Sequence, residues 1–149
     1  MYANILVPLD GSSRAERILP YVEEIAVKFG SRITLLQVIE SGLTIVAPYD
    51  IAPYDAVADT KRHVAEARAY LAGQEGSFRS KNIDVRSVVE SGPVVVAIND
   101  VAARESCDLI AMASHGRTGL NRVFYGSVAA GVLHRADRPL LLIRAQNGY

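Results

Sequence analysis

Residues 109–128 read Leu-Ile-Ala-Met-Ala-Ser-His-Gly-Arg-Thr-Gly-Leu-Asn-Arg-Val-Phe-Tyr-Gly-Ser-Val. The first five residues form an apolar run of strand length, and polar and glycine residues follow at once. Gly126 and Ser127 then open a second apolar segment with helical spacing. Glycines let the backbone approach a ligand closely, and the N–H groups and dipole at a helix start favour negative charge. The stretch therefore predicts a strand, a loop and a helix start that can hold phosphate.

The composition limits the classes of protein to consider. A chain of 149 residues, half of them hydrophobic and 21% charged, is typical of one globular domain. Sixteen acidic and sixteen basic residues give zero net charge, which disfavours nucleic acid as a partner. No apolar run approaches the roughly 20 residues of a membrane span. The N-terminal residues lack signal-peptide features and Cys107 is the lone cysteine, so we expect a cytoplasmic protein without a membrane partner.

Strand and helix patterns alternate along the chain. Apolar or β-rich runs predict five strands, at Asn4–Leu9, Arg32–Ile39, Asn82–Val89, Cys107–Ala113 and Pro139–Ile143. Helical spacing predicts four helices: Ala15 to Phe29, much of Asp59–Lys81, one that starts at residues 91–93, and Gly126–Arg135. Alternation of this kind predicts an open, five-stranded parallel α/β sheet with helices on both faces.

Two segments interrupt these patterns. Pro20 lies inside the first predicted helix and is expected to kink it, because the carbonyl of Glu16 loses its hydrogen-bond partner. The stretch Glu40–Thr60 carries Ala-Pro-Tyr-Asp twice and is predicted to be irregular. It is either a surface connection or a lid whose tyrosines approach a ligand.

The strand order predicts where a ligand binds. Ligands of open parallel sheets bind beyond the carboxyl ends of the strands, where the strand order reverses. In the order 3-2-1-4-5 the reversal lies between the first and fourth strands, which are followed by Asp10 and Ser114. These two polar strand ends are therefore expected to face one crevice.

At this point the chain resembles the universal stress protein family over essentially its whole length. The landmarks are residues 4–12 (Asn-Ile-Leu-Val-Pro-Leu-Asp-Gly-Ser), 35–39 (Leu-Leu-Gln-Val-Ile), 108–119 (Asp-Leu-Ile-Ala-Met-Ala-Ser-His-Gly-Arg-Thr-Gly), 126–128 (Gly-Ser-Val) and 138–143 (Arg-Pro-Leu-Leu-Leu-Ile). The resemblance implies a single domain over residues 1–149, with a Rossmann-like fold similar to that of adenine nucleotide alpha hydrolases.

The family has an ATP-binding branch whose motif is glycine, two residues, glycine, nine residues, then glycine and Ser or Thr. Gly116, Gly126 and Ser127 match this motif, and Ala113 replaces its first glycine. If that position needs a positive φ, alanine costs on the order of 1 kcal/mol. If it stays in the β region, one methyl group is the whole change. Nucleotide binding is expected to survive the replacement.

The resemblance also implies which residues would bind ATP or a related adenine nucleotide. By similarity, the adenosine side is lined by Pro8, Leu9 and Asp10, and adenine meets the backbone of Val38. Ribose and phosphates are bordered by Met112, Ala113, His115 and Gly116, and the phosphates are capped by Gly126, Ser127 and Val128. Asp10 would orient Mg²⁺ through water.

Each of these assignments has a plainer alternative. Asp10 can simply cap the first helix, and Gly126 with Ser127 can be no more than a helix start. Arg117 either pairs with phosphates or is a surface charge. His115 is a ligand contact or a solvated group, because no triad partner accompanies it in the sequence.

The last strand predicts a partner. Its apolar residues Leu140, Leu141, Leu142 and Ile143 fall at a predicted sheet edge. The family pairs this strand with its mate in a second subunit, which implies a homodimer.

Three functions are open at this stage. The first is a nucleotide-dependent, homodimeric stress-response module with at most slow hydrolysis, since no general base stands out. The second is a nucleotide-free dimeric interaction module, and the third is an enzyme that uses His115 and Asp10.

Overall fold

The computed structural model describes residues 1–40, 54–115 and 126–145. Within them lies one five-stranded parallel sheet in the order β3-β2-β1-β4-β5, which confirms the predicted architecture. The strands are β1 (Asn4–Pro8), β2 (Arg32–Ile39), β3 (Val85–Ser91), β4 (Leu109–His115) and β5 (Leu140–Ala145). The helices are α1 (Leu19–Phe29), α2 (Tyr54–Arg79), α3 (Val94–Arg104) and α4 (Ser127–Arg135), and a 3₁₀ turn, Ala15–Ile18, precedes α1.

The central strand β1 is buried on both faces, which explains its continuous apolar sequence. Ile5 and Val7 pack in a core that includes residues of α1 and α2, whereas Leu6 packs in a second core with residues of α3 and α4. All three side chains are 0% exposed. The strand ends at Pro8, and proline is tolerated at a strand end because it has no backbone N–H to donate to a neighbouring strand.

The expected kink at Pro20 is wrong. Pro20 lies in the first turn of α1, where a missing N–H costs no helical hydrogen bond. The preceding residues form the 3₁₀ turn, and the carbonyl of Glu16 accepts a hydrogen bond from the N–H of Leu19. The chain thus avoids the kink by starting the α-helix one residue before the proline.

The helix α2 starts earlier than its sequence pattern predicts. It begins at Tyr54, so residues 54–60 are helical and not part of an irregular stretch. The side chain of Val57, in the first turn of the helix, is 63% exposed. Burial is concentrated further along, at Ala67, Leu71 and Phe78, where the helix packs on the sheet. The rest of the predicted surface connection or lid, residues 41–53, lies outside the described residues.

The two edges of the sheet are β3 and β5, as the strand order requires. The predicted dimer strand β5 keeps four half-buried residues, Leu140 to Ile143. Leu141 and Ile143 contact one core, while Leu140 and Leu142 contact the other.

A hydrogen-bond network fixes the start of β1 against the turn before β4. The carboxylate of Asp108 accepts hydrogen bonds from the N–H groups of Ala3, at 2.8 Å, and Asn4, at 3.0 Å. The side chain of Asn4 donates to the carbonyl of Glu105 and accepts from the hydroxyl of Thr34. Burial opposes the charged form of Asp108, but these N–H donors outweigh it and hold the pKa of the carboxyl below its ordinary value.

None of the helices in the described part of the chain combines the length and the hydropathy that a membrane crossing requires.

Candidate functional site

A cavity of about 170 Å³ opens at the carboxyl ends of the strands, where the strand order reverses between β1 and β4. Nine of the twelve predicted site residues line it: Pro8, Leu9, Asp10, Val38, Met112, Ala113, Gly126, Ser127 and Val128. The tips of β1, β2 and β4 and the start of α4, which are distant in sequence, therefore border one space.

The other three predicted residues are placed less fully. The backbone of His115 ends β4, where it pairs with Ala145 of β5. Gly116 and Arg117 lie outside the described residues.

Five further residues that complete the wall were not predicted from the sequence. They are Ala15, Leu36, Val94, Ile98 and Ala129. Leu36, Ile98 and Ala129 are buried, so their apolar character reads as core in the sequence. The signal that could have found them is topological: they lie on elements that flank the reversal of strand order, at the ends nearest the crevice.

Asp10 is held at the tip of β1 by a tight turn. Its Oδ1 accepts a 2.9 Å hydrogen bond from the N–H of Ser12, and Ser12 Oγ in turn accepts from the N–H of Ala15 at 3.2 Å. Gly11, between them, has a φ of +83°, which favours glycine. The alternative in which Asp10 caps the first helix is wrong, because the N-cap is Arg14 for the 3₁₀ turn and Ile18 for α1, and neither end has a side-chain cap. The Asp10 carboxylate instead orders the turn that comes before them.

The conformation of Gly126 does not explain why the residue is glycine. It caps α4 with φ −52° and ψ 154°, angles that any L-residue adopts, and no side chain caps the helix. Its carbonyl accepts the hydrogen bond of the Ala130 N–H at 2.9 Å. The first N–H groups of an α-helix have no partner inside the helix. Gly126 and Ser127 line the cavity, so the donors at this helix start lie at its border.

The conformation of Ala113 shows whether the first position of the motif needs a positive φ in this chain. It lies inside β4, paired with Ile143 of β5, and is not among the residues with positive φ. The residue is therefore in the β region, where alanine carries no conformational penalty. The departure from the motif amounts to one methyl group on the cavity wall.

The donor set suits a magnesium ion that is bound through phosphates. In the described part of the chain, no group of three or more His, Cys, Asp or Glu residues could hold a metal by itself. Asp10 nevertheless places an exposed carboxylate on the cavity rim. One carboxylate plus ligand phosphates and water is a common Mg²⁺ environment, because the ion keeps much of its hydration shell.

A second polar group lies beside this rim. The hydroxyl of Tyr70 on α2 donates a 2.8 Å hydrogen bond to Glu16 Oε1, which the side chain of Gln74 also contacts at 3.4 Å. Burial, the hydrogen bond to Glu16 and the negative charges of Glu16 and Asp10 all raise the pKa of the phenol above its ordinary value. The interaction joins α2 to the 3₁₀ turn that follows the Asp10 loop.

Known proteins match this chain over nearly its whole length. The model of the universal stress protein family matches residues 1–144. Universal stress protein MJ0577 of Methanocaldococcus jannaschii is 27% identical over 158 residues, which cover 99% of this chain and 98% of the relative. Its solved structure superposes with a TM-score of 0.82 at 26% identity and covers 99% of both chains.

Two more distant structures share the fold and hold nucleotides. One is a universal stress protein in complex with cAMP, with a TM-score of 0.69 at 19% identity over 97% of this chain and 98% of the other. The second, from Arabidopsis thaliana with AMP bound, has a TM-score of 0.68 at 16% identity over 97% and 92% of the two chains. The family model spans nearly the whole sequence, and this chain therefore belongs to the universal stress protein family.

Proposed function

We propose that this protein binds an adenine nucleotide, ATP or a related one, in the crevice between β1, β4 and α4. In this proposal it acts in the cytoplasm as a homodimeric stress-response module whose partner surface depends on the nucleotide. Any hydrolysis is slow, since the described lining of the cavity offers Asp10 as its titratable side chain and no paired general base.

The observation that carries the proposal is the meeting of the α4 N-terminus with the tip of β1 around one cavity. The unpaired N–H groups and the dipole of α4 favour phosphate. Asp10, at the tip of β1, can hold Mg²⁺ on those phosphates. Apolar side chains of Val38, Leu36 and Ile98 line the interior, which suits the faces of a base.

The size of the cavity agrees with a partly enclosed ligand. Pockets that bury a whole drug-sized ligand measure roughly 300–1,000 Å³. A cavity of about 170 Å³ instead encloses one part of a nucleotide, its base or nucleoside. The phosphates would then lie across the strand ends toward Ser127. The AMP and cAMP complexes of two proteins with this fold support the same ligand class.

The dimer is proposed to form along β5. This strand ends the sheet and carries half-buried leucines and an isoleucine. Pairing with its mate across a two-fold axis would satisfy the unpaired edge and bury these side chains. Sedimentation velocity at micromolar protein concentration tests this part separately, and a monomer would contradict it.

Calorimetric titration of purified, nucleotide-free protein with ATP, AMP and GTP tests the ligand. We expect adenine nucleotides to bind at one site per chain. Gly126→Ala should weaken the binding of ATP, and Gly126→Val should weaken it by at least about tenfold, since that corresponds to 1.4 kcal/mol of lost contacts. The backbone angles of Gly126 admit both residues, so both variants should fold.

Gly76→Ala is the control, because Gly76 lies in α2 with open space where a Cβ would be added. It should bind ATP like the wild type. Absence of binding by the wild type would favour the nucleotide-free interaction module. Equal affinity of the wild type and Gly126→Val would place any nucleotide elsewhere.

A further inference from the structure

The hydroxyl of Tyr70 connects α2 to the wall of the crevice through one side chain. Tyr70 Oη donates to Glu16 Oε1 at 2.8 Å, and Gln74 Nε2, one turn further along α2, donates to the same oxygen at 3.4 Å. Glu16 directly follows Ala15 in the 3₁₀ turn, and Ala15 lines the crevice. The carboxylate that α2 holds therefore belongs to the residue next to the crevice wall.

Backbone hydrogen bonds carry this contact back to Asp10. The N–H of Glu16 donates to the Ser12 carbonyl at 3.3 Å, and the N–H of Ala15 donates to Ser12 Oγ at 3.2 Å. Ser12 in turn donates its own N–H to Asp10 Oδ1 at 2.9 Å. A continuous series of hydrogen bonds thus runs from the Asp10 carboxylate to the hydroxyl of Tyr70.

The ring of Tyr70 gives its hydroxyl a fixed base. The side chain is half-buried and packs against the core that contains Leu9 and Ile18, the residues on either side of this segment. Burial, the hydrogen bond to Glu16 and the negative charges of Glu16 and Asp10 raise the pKa of the phenol. The hydroxyl therefore keeps its proton, and remains a donor to Glu16, throughout the neutral pH range.

We infer that Tyr70 and Glu16 are positioning residues for the ligand of the crevice: their hydrogen bond ties α2 to the 3₁₀ turn and thereby fixes the Asp10 carboxylate and Ala15 at the crevice wall. The inference deepens the proposed function and rests on it where nucleotide is concerned. Both side chains lie outside the lining of the crevice, so they act through the loop. A loop that is already ordered gives tighter binding, because its ordering no longer costs free energy when the ligand arrives.

Amide hydrogen exchange tests the positioning itself, by nuclear magnetic resonance on the isotope-labelled full chain without any nucleotide. Tyr70→Phe removes the hydroxyl and keeps the ring. We expect the amides of Ser12 and Ala15 to exchange at least about threefold faster, a fraction of the effect of losing a whole hydrogen bond to a charged group. The amide of Asn4, which Asp108 holds at the other end of β1, is the internal control and should be unchanged.

Variants of the acceptor separate the hydrogen bond from other effects. Glu16→Ala should reproduce the faster exchange of Tyr70→Phe. Glu16→Gln keeps an oxygen that can accept from the tyrosine hydroxyl, so it should restore most of the protection. Tyr21→Phe and Glu24→Ala make matched changes at exposed positions of α1 and should alter neither amide.

Calorimetric titration with MgATP tests whether the positioning matters for the ligand. Tyr70→Phe should weaken binding by about threefold to tenfold, the scale of coupling within one hydrogen-bond network. In a chain that already carries Asp10→Asn, the same substitution should weaken it by less than about twofold, because no charge is left to position. A merely structural role of Tyr70 would reduce affinity by the same factor in both backgrounds.

The outcomes keep this inference distinct from the proposed function. Unchanged exchange of Ser12 and Ala15 in Tyr70→Phe, or an equal acceleration at Asn4, would overturn the positioning role whether or not ATP binds. Equal losses of MgATP affinity with and without Asp10→Asn would overturn it as well. If the wild type does not bind ATP, the proposed function fails, and the exchange rates still decide whether Tyr70 orders the loop.

Discussion

Gly131 of α4 lies so close to Val95 of α3 that a Cβ built on the glycine would be 2.7 Å from Val95 Cγ2. Gly131 therefore sets how near the two helices approach. Both helices also line the crevice proposed to bind nucleotide, through Val94 and Ile98 on α3 and Val128 and Ala129 on α4. The spacing of α3 and α4 and the width of the crevice thus depend on the same contact.

Gly131→Ala should destabilise the fold and alter the crevice. Overpacking a filled interface costs about 1–3 kcal/mol, against a gain of about 1 kcal/mol for alanine in a helix. We expect a net loss of up to about 2 kcal/mol in urea unfolding. Gly73→Ala in α2, where nothing lies within 4 Å of the added Cβ, should instead gain stability. Equal changes in the two variants would show that α4 shifts freely.

Asp108→Ala should cost about 1–2 kcal/mol near neutral pH, because the N–H groups of Ala3 and Asn4 lose a charged acceptor. The folded-state pKa of Asp108 is lowered, so its contribution is present above the unfolded value of about 3.9 and is lost as the pH falls through the folded value. Urea unfolding of wild type and variant from pH 7 to pH 3 measures this. The difference between them should shrink on acidification.

Asp100→Ala serves as a control for Asp108, since Asp100 is an exposed carboxylate of α3. It should change stability little at any pH. A gap between wild type and Asp108→Ala that stays constant down to pH 3 would contradict the role of the charge.

Ala113→Gly restores the first glycine of the family motif but should not improve binding. The residue is already in the extended conformation of β4, so glycine gains no favourable angle. We expect nucleotide affinity within about twofold of wild type and a loss of about 0.5–1 kcal/mol in stability, the usual cost of glycine in a strand. Calorimetry and urea unfolding measure the two effects. A tenfold gain in affinity would mean that the methyl group obstructs the ligand.

Asp10→Asn should reduce the Mg²⁺ dependence of ATP binding while leaving the loop intact. The amide oxygen can still accept the Ser12 N–H, so the turn persists, but the charge that attracts the ion is gone. Titrations with ATP in the presence and absence of MgCl₂ give the comparison. An unchanged difference between the two conditions would remove Asp10 from the metal site.

Much of the fold was predictable because the strands are recognisable as apolar runs in the sequence. Runs such as Ile5–Val7 are buried on both faces, and their apolar character is unambiguous. Errors arose at proline. Pro20 was expected inside a helix, yet a 3₁₀ turn before it places it at a helix start. The two prolines that precede Tyr54 in the sequence made the start of α2 hard to predict. Local spacing does not reveal which turn of a helix a proline occupies.

The polar rim of the crevice was more predictable than its interior. Asp10, Gly126 and Ser127 are conspicuous because their residue types are unusual beside strand ends and helix starts. Leu36 and Ile98 are apolar and buried like core residues, so their sequence pattern does not distinguish them from the core. The strand order is what indicates that they line the crevice.

The anchoring of the N-terminus by Asp108 has a practical consequence. Met1 is 91% exposed, while the chain is held from Ala3 onward at the amino ends of the strands. The cavity between β1, β4 and α4 lies at the carboxyl ends. A flexible tether attached at Met1 would therefore immobilise the molecule on a sensor chip with its ligand-facing end directed toward the solution.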